Sequence, residues 1–162
     1  MDSKLRPMAP VQVEGIEQLR QLVGRELGPT DWVEITQENV DKFAEVSRDH
    51  QWIHVDPERA ARESPYGTTV AHGNLTLSLL DWFRAQLIQN RGARMGINYG
   101  FNKVRFPAAV PTGTRVRARI ELLSVEELGD DWWHVVTKFT VEGEGQDKPV
   151  CVAESVGRAL MG

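Results

Sequence analysis

The hydrophobic periodicity of this chain changes near residue 95, and this change limits the possible folds more than any other feature. The preceding segment, 74–88, is the most apolar in the chain and carries leucines and aromatic residues on more than one helical face. This pattern predicts a helix enclosed by the rest of the domain. After it, apolar and polar residues alternate, which predicts strands at 97–106, 115–125, 132–141 and 148–160. Helices followed by such strands indicate an α+β domain whose antiparallel sheet wraps around a central helix.

The N-terminal part of the chain predicts shorter elements. Apolar residues at helical spacing predict an amphipathic helix over 13–27, which Gly28-Pro29 ends. A short strand is expected at 32–35. We expect residues 1–12 to form a flexible leader and residues 13–162 to form a single domain, since the chain is of ordinary single-domain length.

Two helix starts are marked by capping residues. Thr36 is expected to cap a helix that ends near Arg48, because a threonine hydroxyl can accept a hydrogen bond from a backbone N–H of the first turn. Residues 49–54 are then expected to be non-helical. Asp56 followed by Pro57 predicts the next helix start, so capping is the simpler role for the Asp56 carboxylate.

The composition narrows the class of protein and its partners. The chain has 162 residues and a formal net charge of −4 at pH 7, so it lacks the basic surface of a general nucleic-acid-binding protein. No stretch approaches the roughly 20 apolar residues of a membrane-spanning helix, and the N-terminus does not resemble a signal peptide. Cys151 is the only cysteine, so no intrachain disulfide is expected. We expect a buried thiol in a cytoplasmic protein.

A candidate acid/base pair, Asp49 and His54, lies in the segment 47–57, with the sequence SRDHQWIHVDP. A carboxyl group and an imidazole have ordinary pKa values of about 3.9 and about 6.5. In a cleft they can share one water molecule, so that one group accepts a proton while the other supplies a proton to carbon. This chemistry needs no metal ion. An Asp and a His five residues apart are weak evidence of catalysis by themselves, because chance matches to this spacing are common.

Gly73 stands at the start of the apolar helix, directly after Ala71-His72. The first N–H groups of a helix have no intrahelical partner and carry a partial positive charge. Because glycine has no side chain, such an N–H could approach a thioester oxygen and stabilise the enolate formed during reaction. An ordinary glycine at a helix start explains the residue equally well.

Three segments together resemble one known family. They are 49–60 (DHQWIHVDPERA), 69–77 (TVAHGNLTL) and 98–107 (NYGFNKVRFP). In these segments the chain is similar to the MaoC-like dehydratases, the family that includes the (R)-specific enoyl-CoA hydratases, and to its nodulation-protein-N-like group in particular. The resemblance extends from about residue 31 to the C-terminus.

The resemblance implies a hot-dog fold, with a curled antiparallel sheet around a long helix at about 73–90, and a homodimer. It also implies that Asp49 and His54 are the acid/base pair and that the Gly73 N–H is the oxyanion donor. The implied reaction is the syn addition of water to a trans-2-enoyl thioester, giving the (R)-3-hydroxyacyl thioester, or its reverse. No metal or redox cofactor is implied. Coenzyme A, or an acyl carrier protein, would be part of the substrate.

The segment around the pair departs from the usual motif of the family. Arg48 replaces a glycine before the aspartate, and Gln51-Trp52 replace Asn-Pro between the two catalytic residues. Gln51 keeps an amide that can orient the water or the substrate. These changes leave the pair intact but put the shape of the substrate in doubt.

Some further polar residues have two interpretations. Lys103 and Arg105 are candidates for contacts with the coenzyme A phosphates, with an ordinary salt bridge as the simpler alternative. The alternating arginines at 115, 117 and 119 fit a solvated sheet face or a phosphate contact. His72 is expected to hold the loop before Gly73 through a hydrogen bond.

Two other functions remain open from the sequence. A hot-dog thioesterase would hydrolyse the C–S bond and would not need an Asp/His pair at this spacing. A non-catalytic subunit of a dehydratase assembly would bind acyl thioesters without converting them, although the intact Asp49/His54 pair argues against that function.

Overall fold

The computed structural model describes residues 9–162. The helices are α1 (Ile16–Arg20), α2 (Gln37–Ser47), α3 (Trp52–Val55), α4 (Pro57–Glu63), α5 (Gly73–Ser78) and α6 (Leu80–Leu87). The strands are β1 (Val11–Val13), β2 (Glu26–Leu27), β3 (Val33–Glu34), β4 (Ile88–Asn90), β5 (Ala93–Arg105), β6 (Arg115–Gly129), β7 (Trp132–Gly143) and β8 (Cys151–Met161). Most of the leader predicted over 1–12 lies outside the described residues, and its last two residues belong to β1.

The four long strands form one antiparallel sheet, as the alternating pattern predicts. The strand order is β2-β6-β7-β8-β5, with β3 also paired to β6. The strands begin and end within a few residues of their predicted bounds, and Asp130 and Asp131 form the β6–β7 turn with positive φ angles of 52° and 62°. Strands β1 and β4 form a separate parallel pair.

One face of the sheet packs on α5 and α6 and forms the core with them. Cross-strand register places Ile120, Phe139, Ala153 and Val104 side by side on this inner face. The first three are at most 1% exposed. Burying a side chain such as that of Ile120 or Phe139 contributes about 1.5–3 kcal/mol, so the match between strand alternation and the apolar helices fixes which face of the sheet is inside.

The central helix predicted at about 73–90 is not continuous. It is interrupted at Leu79 between α5 and α6, and the chain after Leu87 is extended as β4. The hydroxyl of Ser78 donates a hydrogen bond of 2.6 Å to the carbonyl of Leu75. This carbonyl would otherwise accept the Leu79 N–H in a regular helix, so the serine side chain competes with the backbone ladder at this point.

The amphipathic helix predicted over 13–27 is wrong for most of its length. Only α1 is helical, and Gly24, with φ of 81°, turns the chain into β2. Three of the apolar residues that suggested a helix are nevertheless buried, with Leu19, Leu22 and Leu27 at 3–6% exposure, whereas Val23 is 40% exposed. Their spacing reflects packing of a short helix, a turn and a strand on the sheet, because tertiary contacts override a short periodic pattern.

The outer face of β6 carries an ion-paired row of arginines. Arg115 pairs with Glu144, and both Arg117 and Arg119 bind Glu142, at 2.8 and 3.0 Å. These guanidinium groups are therefore engaged within the sheet.

Strand β5 lies at the edge of the sheet and is paired only with β8 among residues 9–162. Large apolar side chains on β5 are at least 43% exposed, namely Met95, Ile97, Tyr99 and Phe101. Within residues 9–162, no helix has the length and hydrophobicity needed to cross a bilayer.

Candidate active site

The end of helix α2 positions Asp49, the first of the predicted site residues. Helix α2 is capped by Thr36, as predicted, and ends before Arg48, which has φ of 64°. This left-handed conformation, which glycine adopts most readily, turns the chain so that Asp49 leaves the helix axis.

The segment 49–54, predicted to be non-helical, is non-helical only up to Gln51. The short helix α3 begins at Trp52, and the backbone N–H of His54 donates to the carbonyl of Gln51 at 2.9 Å. This single turn carries the His54 ring inward. Asp56 then caps α4 through a 2.9 Å bond from the Arg59 N–H, as predicted, so its carboxylate is used structurally.

His54 is held in one tautomer by a backbone hydrogen bond. His54 is 7% exposed, and its Nδ1 lies 2.6 Å from the carbonyl oxygen of Val70. Because a carbonyl can only accept, Nδ1 carries the proton and Nε2 keeps a free lone pair. Burial lowers the pKa of His54, with a further lowering from His72 and opposing effects of the Val70 carbonyl and Asp49. The neutral imidazole, a proton acceptor, is therefore favoured.

The Asp49 carboxylate is exposed and lies close to the two imidazoles. One carboxylate oxygen of Asp49 and one ring nitrogen each of His54 and His72 lie within 4.8 Å of one another. Asp49 Oδ1 also accepts a 3.3 Å bond from the backbone N–H of Gln51. A water molecule lies about 2.8 Å from each hydrogen-bond partner, so a separation of up to 4.8 Å is one that a single water can bridge.

His72 supports both members of the pair. Its ring stacks on the His54 ring, with centroids 3.8 Å apart, and its Nε2 lies 3.0 Å from the carbonyl oxygen of Asp49. The predicted loop-holding hydrogen bond of His72 is thus confirmed. The ring is 3% exposed, and Nδ1 has no hydrogen-bond partner among the described residues. His72 therefore links the Asp49 backbone to the face of the His54 ring.

The same three side chains could be considered as metal ligands because of their short separation. However, the stacked rings, tilted by only 23°, direct their in-plane nitrogen lone pairs side by side rather than toward one point. One nitrogen on each ring also faces a backbone carbonyl. The arrangement therefore suits proton transfer better than metal coordination.

Gly73 is the first residue of α5, so its N–H has no acceptor within the helix. A Cβ atom built at Gly73 would lie 2.8–3.0 Å from three ring atoms of Phe106. Close packing against Phe106 therefore explains why this position is a glycine, since any side chain would displace the ring. It also places an aromatic ring, 42% exposed, beside the N–H that the sequence predicts as the oxyanion donor.

The other predicted site residues lie at the surface. Gln51 is exposed, and the structure shows bonds of its backbone to Asp49 and His54 rather than of its amide. Lys103 and Arg105 are exposed on the outer face of the sheet, and neither forms a salt bridge among residues 9–162. Their roles toward the substrate stay predictions.

One group of contacts has no signal in the sequence. Gln37, the first residue of α2, donates a side-chain hydrogen bond to the carbonyl of His54 at 2.8 Å and accepts one from Thr69 at 2.5 Å. These residues are 17 and 32 positions apart from Gln37, and neither helix propensity nor a motif predicts their meeting.

The fold and the segment that carries Asp49 and His54 are those of the MaoC-like class. A family model described as "MaoC like domain" matches residues 18–143. The chain belongs to this family.

Individual relatives agree with this assignment. The chain is 52% identical over 145 residues to 3-hydroxyacyl-thioester dehydratase Z of Mycobacterium tuberculosis (strain ATCC 25618 / H37Rv), covering 90% of this chain and 95% of the relative. It is 44% identical over 132 residues to nodulation protein N of Rhizobium leguminosarum bv. viciae, covering 81% and 82%. Among solved structures, R-hydratase PhaJ1 from Pseudomonas aeruginosa superposes with a TM-score of 0.66 at 25% identity, covering 86% and 83%. The family, the hot-dog fold and the enzyme class predicted from the sequence, a hydratase or dehydratase, are confirmed.

Proposed function

We propose that this enzyme hydrates trans-2-enoyl thioesters to (R)-3-hydroxyacyl thioesters, or catalyses the reverse dehydration, with Asp49 and His54 as its acid/base pair. The observation that carries the proposal is the His54 Nδ1–H bond to Val70, which leaves the Nε2 lone pair free on a ring that has a nitrogen within 4.8 Å of an Asp49 carboxylate oxygen. The 52% identity to a protein named as a 3-hydroxyacyl-thioester dehydratase supports the same substrate class.

In the hydration direction, water is held between the carboxylate of Asp49 and Nε2 of His54. The pair takes one proton from the water as its oxygen bonds to C3 of the enoyl group, and the pair returns one proton to C2. The C2–C3 double bond is lost and the pair ends unchanged, so atoms and charges balance. Because its neutral form is favoured, His54 is the member suited to accept the first proton.

The thioester carbonyl gains negative charge as the enolate forms. We place this oxygen at the N–H of Gly73, where the lack of an intrahelical acceptor leaves a donor available. His72, which precedes Gly73, bonds to Asp49 and stacks on His54. The donor and the acid/base pair are therefore connected through one rigid residue.

The remaining assignments follow from the reaction. The addition of water needs no redox or metal cofactor, and coenzyme A or a carrier protein enters as part of the substrate. Lys103 and Arg105 are the candidates for its phosphates, and Gln51 is the candidate for orienting the water. We place the enzyme in the cytoplasm, where its one thiol, Cys151, needs no partner.

We further propose a homodimer that pairs the β5 edges of two copies. Support comes from the length of this edge strand, 13 residues, and from its exposed apolar side chains. Long unpaired edges of this kind are normally covered in native proteins.

The test is the loss of enoyl-thioester absorbance on adding crotonyl-CoA or a medium-chain trans-2-enoyl-CoA, with chiral analysis of the product. Asp49→Asn and His54→Ala are expected to lower kcat by roughly 10²–10⁴-fold. Two matched controls, Asp147→Asn and His50→Ala, change exposed residues of the same types and should stay near the wild-type rate.

Each alternative gives a different result in this assay. Release of free thiol without a hydroxyacyl product would indicate a thioesterase. Binding of acyl-CoA without any turnover, in a folded protein, would indicate a non-catalytic subunit. Near-normal rates in both Asp49→Asn and His54→Ala would show that the pair is wrongly assigned.

A further inference from the structure

The side-chain amide of Gln37 joins the two backbone segments that enclose the His54 ring. Its Nε2 donates to the carbonyl oxygen of His54 and to Oδ1 of Asp41, both at 2.8 Å. Its Oε1 accepts the hydroxyl of Thr69 at 2.5 Å. Both partners of Nε2 can only accept hydrogen bonds. These partners therefore determine which end of the amide carries the nitrogen and which carries the oxygen.

Thr69 connects this amide to the hydrogen-bond partner of the His54 ring. It is 1% exposed and directly precedes Val70, whose carbonyl accepts the His54 Nδ1–H. Because the Thr69 proton is given to Gln37, the 2.7 Å contact with the Thr112 hydroxyl must use the proton of Thr112. The Thr112 N–H also donates to the Thr69 carbonyl at 2.9 Å. The segment at 69–70 is therefore fixed from two sides.

We propose that Gln37 and Thr69 are positioning residues that hold His54 in its Nδ1–H tautomer and keep its Nε2 lone pair directed at the reacting water. The basis is that one amide binds both the backbone of the ring's own residue and the residue beside the ring's acceptor. The helix cap leaves Gln37 free to do so, because Thr36 and Asn39 satisfy each other's polar groups. This inference depends on the proposed role of His54 as a catalytic group.

A defined change in the site follows from removing the amide. Without Gln37, the two segments remain joined by the 3.0 Å bond from the Val70 N–H to the Ile53 carbonyl, but the Val70 carbonyl is held less firmly and its 2.6 Å bond to Nδ1 weakens. A displacement of about 1 Å at a catalytic group can reduce the rate by roughly 10²-fold. Substrate binding should change little, since the amide contacts only protein groups.

The experiment measures kcat and KM for Gln37→Met, which keeps the side-chain length and removes all three hydrogen bonds. Gln21→Met is the matched control at an exposed position. We expect kcat to fall about 10- to 100-fold in Gln37→Met, with KM changed less than about threefold. Thr69→Val should act in the same direction, and Thr69→Ser, which restores a hydroxyl, should recover most of the rate.

Two readouts distinguish positioning from a general loss of stability. The ¹⁵N chemical shifts of the His54 ring report which nitrogen carries the proton, and Gln37→Met should lower the Nδ1–H fraction. The acid limb of the kcat/KM profile should move to lower pH, because the Val70 bond raises the pKa of His54. The titratable groups that face this ring are Asp49 and His72, and neither is changed by the substitution.

Several results would overturn the inference. Wild-type kcat and ring shifts in Gln37→Met would do so. Equal losses in Thr69→Val and Thr69→Ser, with an unchanged tautomer, would show a packing role instead. If the wild-type enzyme fails the hydratase assay, the proposed function fails separately, and the ring shifts still decide whether Gln37 controls the tautomer.

Discussion

The imidazole rings of His54 and His72 stack face to face, with centroids 3.8 Å apart and planes tilted by 23°. A proton added to His54 would place a positive charge against the face of a second imidazole in a buried site. Burial and this neighbour both lower the pKa of His54. The stack therefore has a chemical consequence besides packing, since it favours the neutral form needed to accept a proton from water.

Replacing His72 should separate these effects. In His72→Phe the ring face remains, but the charge effect on His54 and the bond to the Asp49 carbonyl are lost. We expect the acid limb of kcat/KM to move to higher pH, because the lowering influence on the His54 pKa is removed. We also expect kcat to fall about 10-fold, since a hydrogen bond that orients Asp49 is worth about 1 kcal/mol or more.

His72→Gln provides the comparison, because its amide can still donate to the Asp49 carbonyl. Its pH profile should shift as in His72→Phe, whereas its kcat should stay closer to the wild type. Identical pH profiles for both variants and the wild type would show that the stack does not influence the pKa of His54.

The main features of the fold could be predicted because they depend on patterns within short segments. Alternation along β6 and β7 indicates which residues face the core, and local capping by Thr36 and Asp56 marks two helix starts. The closeness of Asp49 and His54 could be predicted for the same reason, since both lie in one short motif.

The features that could not be predicted depend on contacts between distant segments or on a single competing side chain. At the break in the central helix, the Ser78 hydroxyl binds the Leu75 carbonyl, a contact that an apolar pattern does not reveal. The burial of Leu27 in a strand depends on its pairing with Ile120. The link from Gln37 to Thr69 spans 32 residues, and nothing in the local sequence of either residue indicates it.

Gly73 and Phe106 offer a test of packing at the predicted oxyanion donor. In Gly73→Ala the new Cβ would lie 2.8–3.0 Å from the Phe106 ring, so the ring must move. We expect a loss of about 1–3 kcal/mol in the free energy of unfolding and a lower kcat/KM, measured by urea unfolding and the hydration assay. The N–H itself is retained.

The double variant Gly73→Ala/Phe106→Ala identifies the cause of the lower rate. If the ring alone is responsible, both stability and rate should recover relative to Gly73→Ala. If only stability recovers, the added methyl group occupies space needed by the substrate. A Gly73→Ala enzyme equal to the wild type in both measurements would contradict the close contact.

Glu142 should make stability depend on pH in the acid range. Burial raises its pKa, but hydrogen bonds from Arg117 and Arg119 lower it more, and the net pKa lies below the ordinary value of 4.5. The folded state thus binds this proton less readily than the unfolded state. The stabilisation is present above about pH 4.5 and is lost as the pH falls through the lower folded-state pKa.

Glu142→Gln should remove this dependence. We expect the free energy of unfolding, measured with urea, to be about 1 kcal/mol lower than that of the wild type at pH 7. This difference in unfolding free energy should become smaller as the pH falls below about 4. The control is Glu127→Gln, which makes the same change at an exposed residue of β6. If the difference in unfolding free energy between Glu142→Gln and the wild type did not change with pH, the ion pairs could not be its source.

The Cys151 thiol should be inert in the folded protein. Its side chain is 0% exposed within the core, and burial raises its pKa to about 11, so the reactive thiolate is scarce at neutral pH. We expect reaction with a disulfide reagent such as DTNB to follow the rate of unfolding, and to become rapid in urea. An introduced Asp147→Cys, at an exposed turn, should react at once under the same conditions. Fast labelling of Cys151 in the native wild-type enzyme would mean that the interior beneath β8 opens locally, and that this strand is less firmly packed on α5 than its burial indicates.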